Sequence, residues 1–369
     1  MKTLSSFNFK GKRVLVRIDL NSEVVNGKVL LNQRFKAHAE TIKYLKNKKA
    51  KVVLLAHQGR PGAKDFTTLK QHAKLLSKFV RVKFVDILGK KSRDEIENLK
   101  NGEVLLLDNV RRLKDEFKGN SNNKFVKVLS KYFDYYVNDS FSVSHRKQSS
   151  MVGFPKVLKS CMGKTMEKEI NALKKLKIKN ALYILGGAKP KDNIKLLNNK
   201  RRILSCGLFG QLCSIALGIN FGAQNKFLKN KLKIVKKNKL KNVEVPNDFA
   251  VKVNGRREEL RVEEFPSKYE IFDIGEDTIK NYVDEIKKAK VIFLKGVPGD
   301  YVNNNFSKGT KEILKAVGRN KGFSVIGGGS SSDAVSKFKI KGINHISLSG
   351  GALIDYVVGK KLPGIEALK

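Results

Sequence analysis

The sequence predicts an α/β protein made of two parallel-sheet domains. Three observations carry that expectation. The chain has 369 residues, more than one ordinary core holds, and typical domain sizes divide it in two. Short apolar runs alternate with helical patterns along the whole length, the signature of a parallel sheet with crossover helices. The runs are near-continuous in Val, Ile and Leu, which suits strands covered on both faces.

The elements are expected in this order. A first strand spans residues 13–18, a helix 35–46 and a buried strand 52–55. Further strands are expected over 82–85, 104–107 and 135–138. Residues 164–177 lack Pro and Gly and place Met166, Ile170, Leu173 and Leu176 at helical spacing, so a long helix is expected to join the two halves. In the second half, strands are expected over 181–185, 202–205, 291–294 and 323–326, several of them followed by glycine-rich turns. Residues 226–241 hold eight lysines, with Leu228, Leu232 and Val235 at i, i+4 and i+7; this pattern predicts an amphipathic helix with a solvated basic face. The whole reads as two Rossmann-like domains.

Lys and Arg number 76 against 34 Asp and Glu, a formal balance of +42. Such a field suits either a polyanionic partner or an enzyme for anionic substrates. The excess is mostly lysine and spread along the chain, with no interleaved aromatics, zinc-finger spacing or RNP-like strand. Nucleic-acid binding is therefore expected to be incidental. No apolar run reaches the ~20 residues needed to span a bilayer, and residues 1–12 carry no signal-peptide pattern, so a cytoplasmic protein without a membrane partner is expected. The three cysteines, Cys161, Cys206 and Cys213, have no metal-ligand spacing and read as buried thiols of a reducing compartment.

Ligands of α/β sheets sit beyond the carboxyl ends of the strands. There the first half delivers Asp19 and Asn21, then His57 and Arg60, then Arg111, then the loop from Asn138 to Arg146, while Arg34 opens the first long helix. Arginine forks grip phosphate and carboxylate oxygens in pairs, so this set points to a small, multiply anionic ligand. His57 and His145 fall in these loops; His38, His72 and His345 read as structural. In the second half, Gly186-Gly187-Ala188-Lys189, Gly327-Gly328-Gly329-Ser330 and Ser349-Gly350-Gly351 follow strands. Glycine admits a phosphate close to the backbone, and helix N-termini supply oriented N–H groups. None of these turns is a Walker A or GxGxxG sequence. No Ser-His-Asp order, HExxH, CxxC or metal cluster is present, which leaves positioning and charge neutralisation, the main needs of phosphoryl transfer.

Taken together and in order, residues 16–21 (Val-Arg-Ile-Asp-Leu-Asn), 57–61 (His-Gln-Gly-Arg-Pro), 137–146 and 186–189 (Gly-Gly-Ala-Lys) resemble phosphoglycerate kinase, with wording closest to the archaeal branch. The resemblance runs from about residue 12 to the end. It implies a 3-phosphoglycerate/1,3-bisphosphoglycerate site at Asp19, Asn21, Arg34, His57, Arg60, Arg111 and Arg146. It implies an Mg²⁺-ATP/ADP site at Gly187, Ala188, Lys189, Gly207, Gly299, Gly328, Gly329 and Ser330, with Arg34, Lys189, Gly328 and Gly351 catalytic. It further implies domains over 1–163 and 164–345 joined by the long helix and a hinge, a segment 346–369 returning to the first domain, and a monomer or dimer.

The second half departs from the family's wording. The usual Gly-Gly-Ala-Lys-x-x-Asp-Lys ends here in Asn193. The usual Asn-Gly-Pro-x-Gly-Val-Phe-Glu begins with Lys295 and ends with Val302, and Ser330 stands where the acidic residue of Gly-Gly-Gly-Asp-Thr is expected. These changes motivate an alternative: a catalytically weakened relative that binds phosphoglycerate or another anion but uses nucleotide poorly.

Overall fold

The computed structural model describes residues 1–176, 181–197 and 202–369. It divides into two compact units, Met1–Asn171 with Gly359–Lys369, and Ala172–Val358.

The first unit is built on a six-stranded sheet in the order Lys83–Val85, Val104–Leu107, Lys51–Leu55, Arg13–Arg17, Tyr135–Asn138, Lys159–Met162. Every pairing is parallel. The central strands are covered on both faces: Val14, Leu15, Val16, Val52, Leu54 and Leu106 are all buried, each contributing about 1.5–3 kcal/mol by leaving water. The helix Gln33–Asn47 lays Phe35, Ile42 and Leu45 against this core, and Asn32 caps its start by accepting from Arg34 N at 2.9 Å. The last strand was not foreseen. Lys159 and Ser160 leave it only two buried positions, Cys161 and Met162, so an edge strand here has no apolar run.

The second unit repeats the plan in the order Val243–Glu244, Arg202–Ser205, Leu182–Leu185, Val291–Lys295, Phe323–Gly327, His345–Ser347, again all parallel. Two features depart from expectation. A separate antiparallel sheet joins Arg256–Arg261, Asp248–Val253 and Ile271–Ile274. Its hairpin turns at Asn254-Gly255, both at positive φ, the chemistry of a two-residue turn. The predicted helix over 226–241 is absent as such. A short helix, Ala223–Leu228, gives way to tight 3₁₀ turns at Lys229–Ile234 and Lys237–Lys239. Leu228, Val235 and Leu240 are still buried, but Lys226/Lys229, Lys229/Lys233 and Lys233/Lys237 would repel at helical spacing.

The unit boundaries also shift. The joining helix, Lys164–Lys175, starts in the first unit because its first turn is fastened there: Lys164 N donates to Thr41 Oγ1 at 2.9 Å and Thr165 N to Asp139 at 2.8 Å. The end expected for it, residue 177, lies outside the described residues. At the other end the break falls after Val358 rather than after residue 345. Strand His345–Ser347 pairs with Phe323–Gly327, and Leu353 of helix Gly351–Val357 packs on Gly327. Only Gly359–Lys369 belongs to the first unit, where Gly364 N donates to Ser144 O at 2.9 Å and Asn138 Nδ2 to Gly364 O at 3.2 Å.

Candidate active site

In the first unit the carboxyl ends of neighbouring strands deliver the polar loops to one place. Asp19, two residues past strand Arg13–Arg17, is 2% exposed. Its carboxylate takes Arg34 Nη1 at 2.6 Å and Asn21 N at 3.0 Å, together with the Ser142 hydroxyl. Burial raises its pKa, but Arg34, Ser142 and the Asn21 N–H together outweigh burial and hold the carboxyl far below its ordinary range. Asn21 Oδ1 accepts from Gly59 N at 2.9 Å, tying the first loop to the second. Gly59 O accepts from Arg111, which brings in the loop after Val104–Leu107.

His57 is kept neutral. Burial lowers its pKa well below 6.5, Asp19 partly opposes, and Arg17, Arg111 and Arg146 push it down further. Arg17 Nη2 lies 3.1 Å from His57 Nδ1; arginine only donates, so Nδ1 accepts and the ring proton sits on Nε2. Burial and the charges of Arg146 and Arg17 bring Arg111 down to about 10. Burial and Arg60 act in the same direction on half-buried Arg146. All seven residues assigned to this site from the sequence are thus linked by hydrogen bonds or by mutual charge. Four arginines, Arg17, Arg34, Arg111 and Arg146, act on the buried acids Asp19 and Glu116, and Arg60 adds its charge beside Arg146. Arg111 is 4% exposed, yet its Nε and Nη2 have no hydrogen-bond partner among the described residues. Buried charged donors left unmatched are costly, and a bound anion would satisfy them.

In the second unit a cavity of about 350 Å³ is lined by Gly187, Ala188, Gly207, Gly299 and Ser330, with Phe227, Phe272 and Tyr301 as aromatic walls. Gly187 and Gly207 take φ of +75° and +55°, and a Cβ on Gly207 would stand 2.6 Å from Val297 O. These two turns therefore approach as closely as they do only with glycine. Lys189, exposed at the start of helix Pro190–Ile194, does not line this cavity. Nor do Gly328 and Gly329, which open helix Gly329–Lys337, or Gly351, which opens Gly351–Val357. Val302 points to solvent, 70% exposed.

Comparison with known proteins agrees with this geometry. The family model described as phosphoglycerate kinase matches residues 4–360. A phosphoglycerate kinase from Methanothermus fervidus is 40% identical, covering 100% of this chain and 96% of the relative; one from Saccharolobus solfataricus is 41% identical over 99% and 96%. The crystal structure of the phosphoglycerate kinase from Pyrococcus horikoshii superposes with TM-score 0.91 at 37% identity, covering 100% of this chain and 98% of that one. That from Coxiella burnetii gives 0.83 at 28%, with the same coverage. The chain belongs to the phosphoglycerate kinase family.

Several residues around this arginine cluster were not assigned to it from the sequence. Arg17 is fully buried and joins His57 to Ser150, to which its Nε donates at 2.9 Å. Glu116, its pKa raised by burial despite Arg17 and Ser150, accepts from Ser150 N and Oγ at 2.8 and 2.7 Å. His38, read as structural, accepts from Asp19 N at 3.2 Å and pairs through Nδ1 with Asp139 at 2.8 Å, so it fixes the backbone of the first loop. The signal for Arg17 was present, a charge closing an otherwise apolar strand. Nothing in the wording around His38 marks its partners. The cysteines are buried and inert, with burial holding Cys161 and Cys213 up at about 12.

Proposed function

We propose that Asp19, Asn21, Arg34, His57, Arg60, Arg111 and Arg146 hold 3-phosphoglycerate, and that Gly187, Ala188, Lys189, Gly207, Gly299, Gly328, Gly329 and Ser330 hold ADP or ATP. The reaction is the reversible phosphoryl transfer of a phosphoglycerate kinase between 1,3-bisphosphoglycerate and ADP. The acceptor is a carboxylate, already ionised at neutral pH, so the reaction needs no general base; it needs positioning and charge neutralisation. Asp19 and neutral His57 offer an acceptor and a donor for the substrate hydroxyl. Arg60, Arg111 and Arg146 meet its phosphate. Arg34, partly exposed and anchored on Asp19, neutralises the phosphoryl group in transit, with Lys189 and the helix starts at Gly328 and Gly351 on the nucleotide side.

Magnesium fits the oxygen donors of the nucleotide cavity. Asp300 and Ser330 line it and would hold the ion, which takes few protein ligands beside waters and phosphate oxygens. Bound there, it would offset charge on the phosphate chain. Among the described residues no group of three or more His, Cys, Asp or Glu could form a dedicated cage. Inert thiols suit a reducing cytoplasm, and no helix among the described residues is long and apolar enough to cross a membrane. Nothing in the comparisons favours the weakened alternative.

The observation that carries the first assignment is the unmatched Arg111 in a cluster of arginines. Calorimetric titration with 3-phosphoglycerate tests it. Arg111→Ala should weaken binding by ~30-fold or more, as expected for losing charge-assisted bonds worth about 2–3 kcal/mol. Unchanged affinity in a folded variant would move the substrate elsewhere.

A further inference from the structure

Two residues of the second unit, Asn193 and Lys295, meet in one place. Lys295 closes strand Val291–Lys295 beside Leu185 of the neighbouring strand. It is 7% exposed. Its ammonium donates to Oδ1 of fully buried Asn193 at 3.2 Å, and Asn193 Nδ2 donates to Gly186 O at 2.8 Å. Among the described residues the carboxylate beside it is Asp192, at 3.6 Å and 38% exposed, so water screens that attraction.

The local charge is unbalanced. Burial pushes the Lys295 pKa down, Asp192 raises it, and Lys189 and Lys195 lower it again. Lys189 and Lys195 thus add positive charge beside Lys295, whose own carboxylate partner is partly exposed. An ammonium carries three donors, and holding one out of water with incomplete compensation is costly unless an anion completes it. The place is the turn Gly186–Gly187, whose N–H groups bond Lys295 O and Val297 O at 2.8 and 2.9 Å, and Gly187 and Val297 line the cavity. The side chains at positions 193 and 295 are bonded to each other across 102 residues of sequence.

We propose that Lys295 is a phosphate-positioning cation of the nucleotide site, held in place by Asn193. The inference rests on the second unit being the nucleotide site, and it adds a residue that the site assignment above does not contain. Lys295 and Lys189 would then grip one phosphate chain from two sides of the Gly186–Gly187 turn.

The test compares K295N, K295Q, N193K and the reciprocal double variant N193K/K295N with the unmodified protein. Turnover is followed with ATP varied at saturating 3-phosphoglycerate, ADP binding by calorimetry, and folding by thermal unfolding. K295N and K295Q should fold, bind ADP ~10-fold more weakly and lose ~10-fold or more in kcat. N193K, which sets two buried ammonium groups together, should unfold at lower temperature. The double variant should recover ADP affinity and kcat to within ~3-fold. Unchanged ADP affinity and kcat in folded K295Q would overturn the proposal, as would a folded double variant no better than K295N. Unmodified protein that binds no ADP would instead sink the nucleotide-site reading on which it rests.

Discussion

Asp19 shows how one buried carboxylate organises a cationic site. It is held ionised by Arg34, Ser142 and the Asn21 N–H, and in turn it fixes the Arg34 fork at 2.6 Å. Arg34→Ala should therefore cut kcat by ~10³-fold, the order expected when a transition-state charge contact is lost. The fold should survive, because the other donors still satisfy Asp19; steady-state assays beside thermal unfolding would show retained rate if Arg34 has no such role. His72 carries a pH prediction. Its Nε2 bonds Gln58 Oε1 at 3.0 Å, its buried Nδ1 has no partner among the described residues, and burial, against Asp108 and Asp19, pushes its pKa from 6.5 down to about 4. The folded state resists a proton that the unfolded chain accepts. Stability from this group is thus complete above pH 6.5 and is lost as pH falls from 6.5 to about 4, amounting to about 2 kcal/mol by pH 5. Urea unfolding at pH 7 and pH 5 should show that loss, and His72→Gln should reduce it; an unchanged slope would contradict the assignment.

The element that ties loop to helix is the segment after strand Tyr135–Asn138. Asp139 is fully buried, accepts Thr165 N and Met166 N at 2.8 and 3.2 Å through Oδ1, and pairs with His38 through Oδ2. It thereby caps helix Lys164–Lys175 and, through His38, steadies Asp19 N. Asp139→Asn should cost about 1–3 kcal/mol in chemical denaturation, from the lost cap charge and the mismatched histidine, and should raise KM for 3-phosphoglycerate. No change in KM would mean that His38 is packing only. Elements of this kind set the limits of sequence reasoning. The central strands were legible because Val14–Val16, Val52–Leu55 and Val104–Leu107 are apolar on both faces. So was the cluster at their ends, because charged loops after buried strands have one place to go. Strand Lys159–Met162, with two buried positions, carries too little pattern. The antiparallel sheet hid behind charged Arg256–Arg261, although Asn254-Gly255 marked its turn. The lysine-rich stretch has the apolar spacing of a helix, but repulsion decided against one. The partners of His38 and Lys295 lie 101 and 102 residues away, and such pairings exist only once the sheets are ordered.

At the scale of the whole molecule the formal charge of +42 makes an independent prediction. Binding to duplex DNA should be measurable at ~20 mM salt and vanish by ~150 mM, because it rests on counterion release rather than on a built site. Binding that persists at physiological salt would contradict an incidental role. The central claim is that each unit carries one half of a working kinase, with the departures at Asn193, Lys295, Val302 and Ser330 tolerated. It is tested most directly by mixing purified protein with 1,3-bisphosphoglycerate and Mg²⁺-ADP and following ATP. Rapid ATP formation is the result predicted. Folded protein that binds 3-phosphoglycerate and makes no ATP would contradict it, leaving an intact anion site in the first unit and a nucleotide half without chemistry.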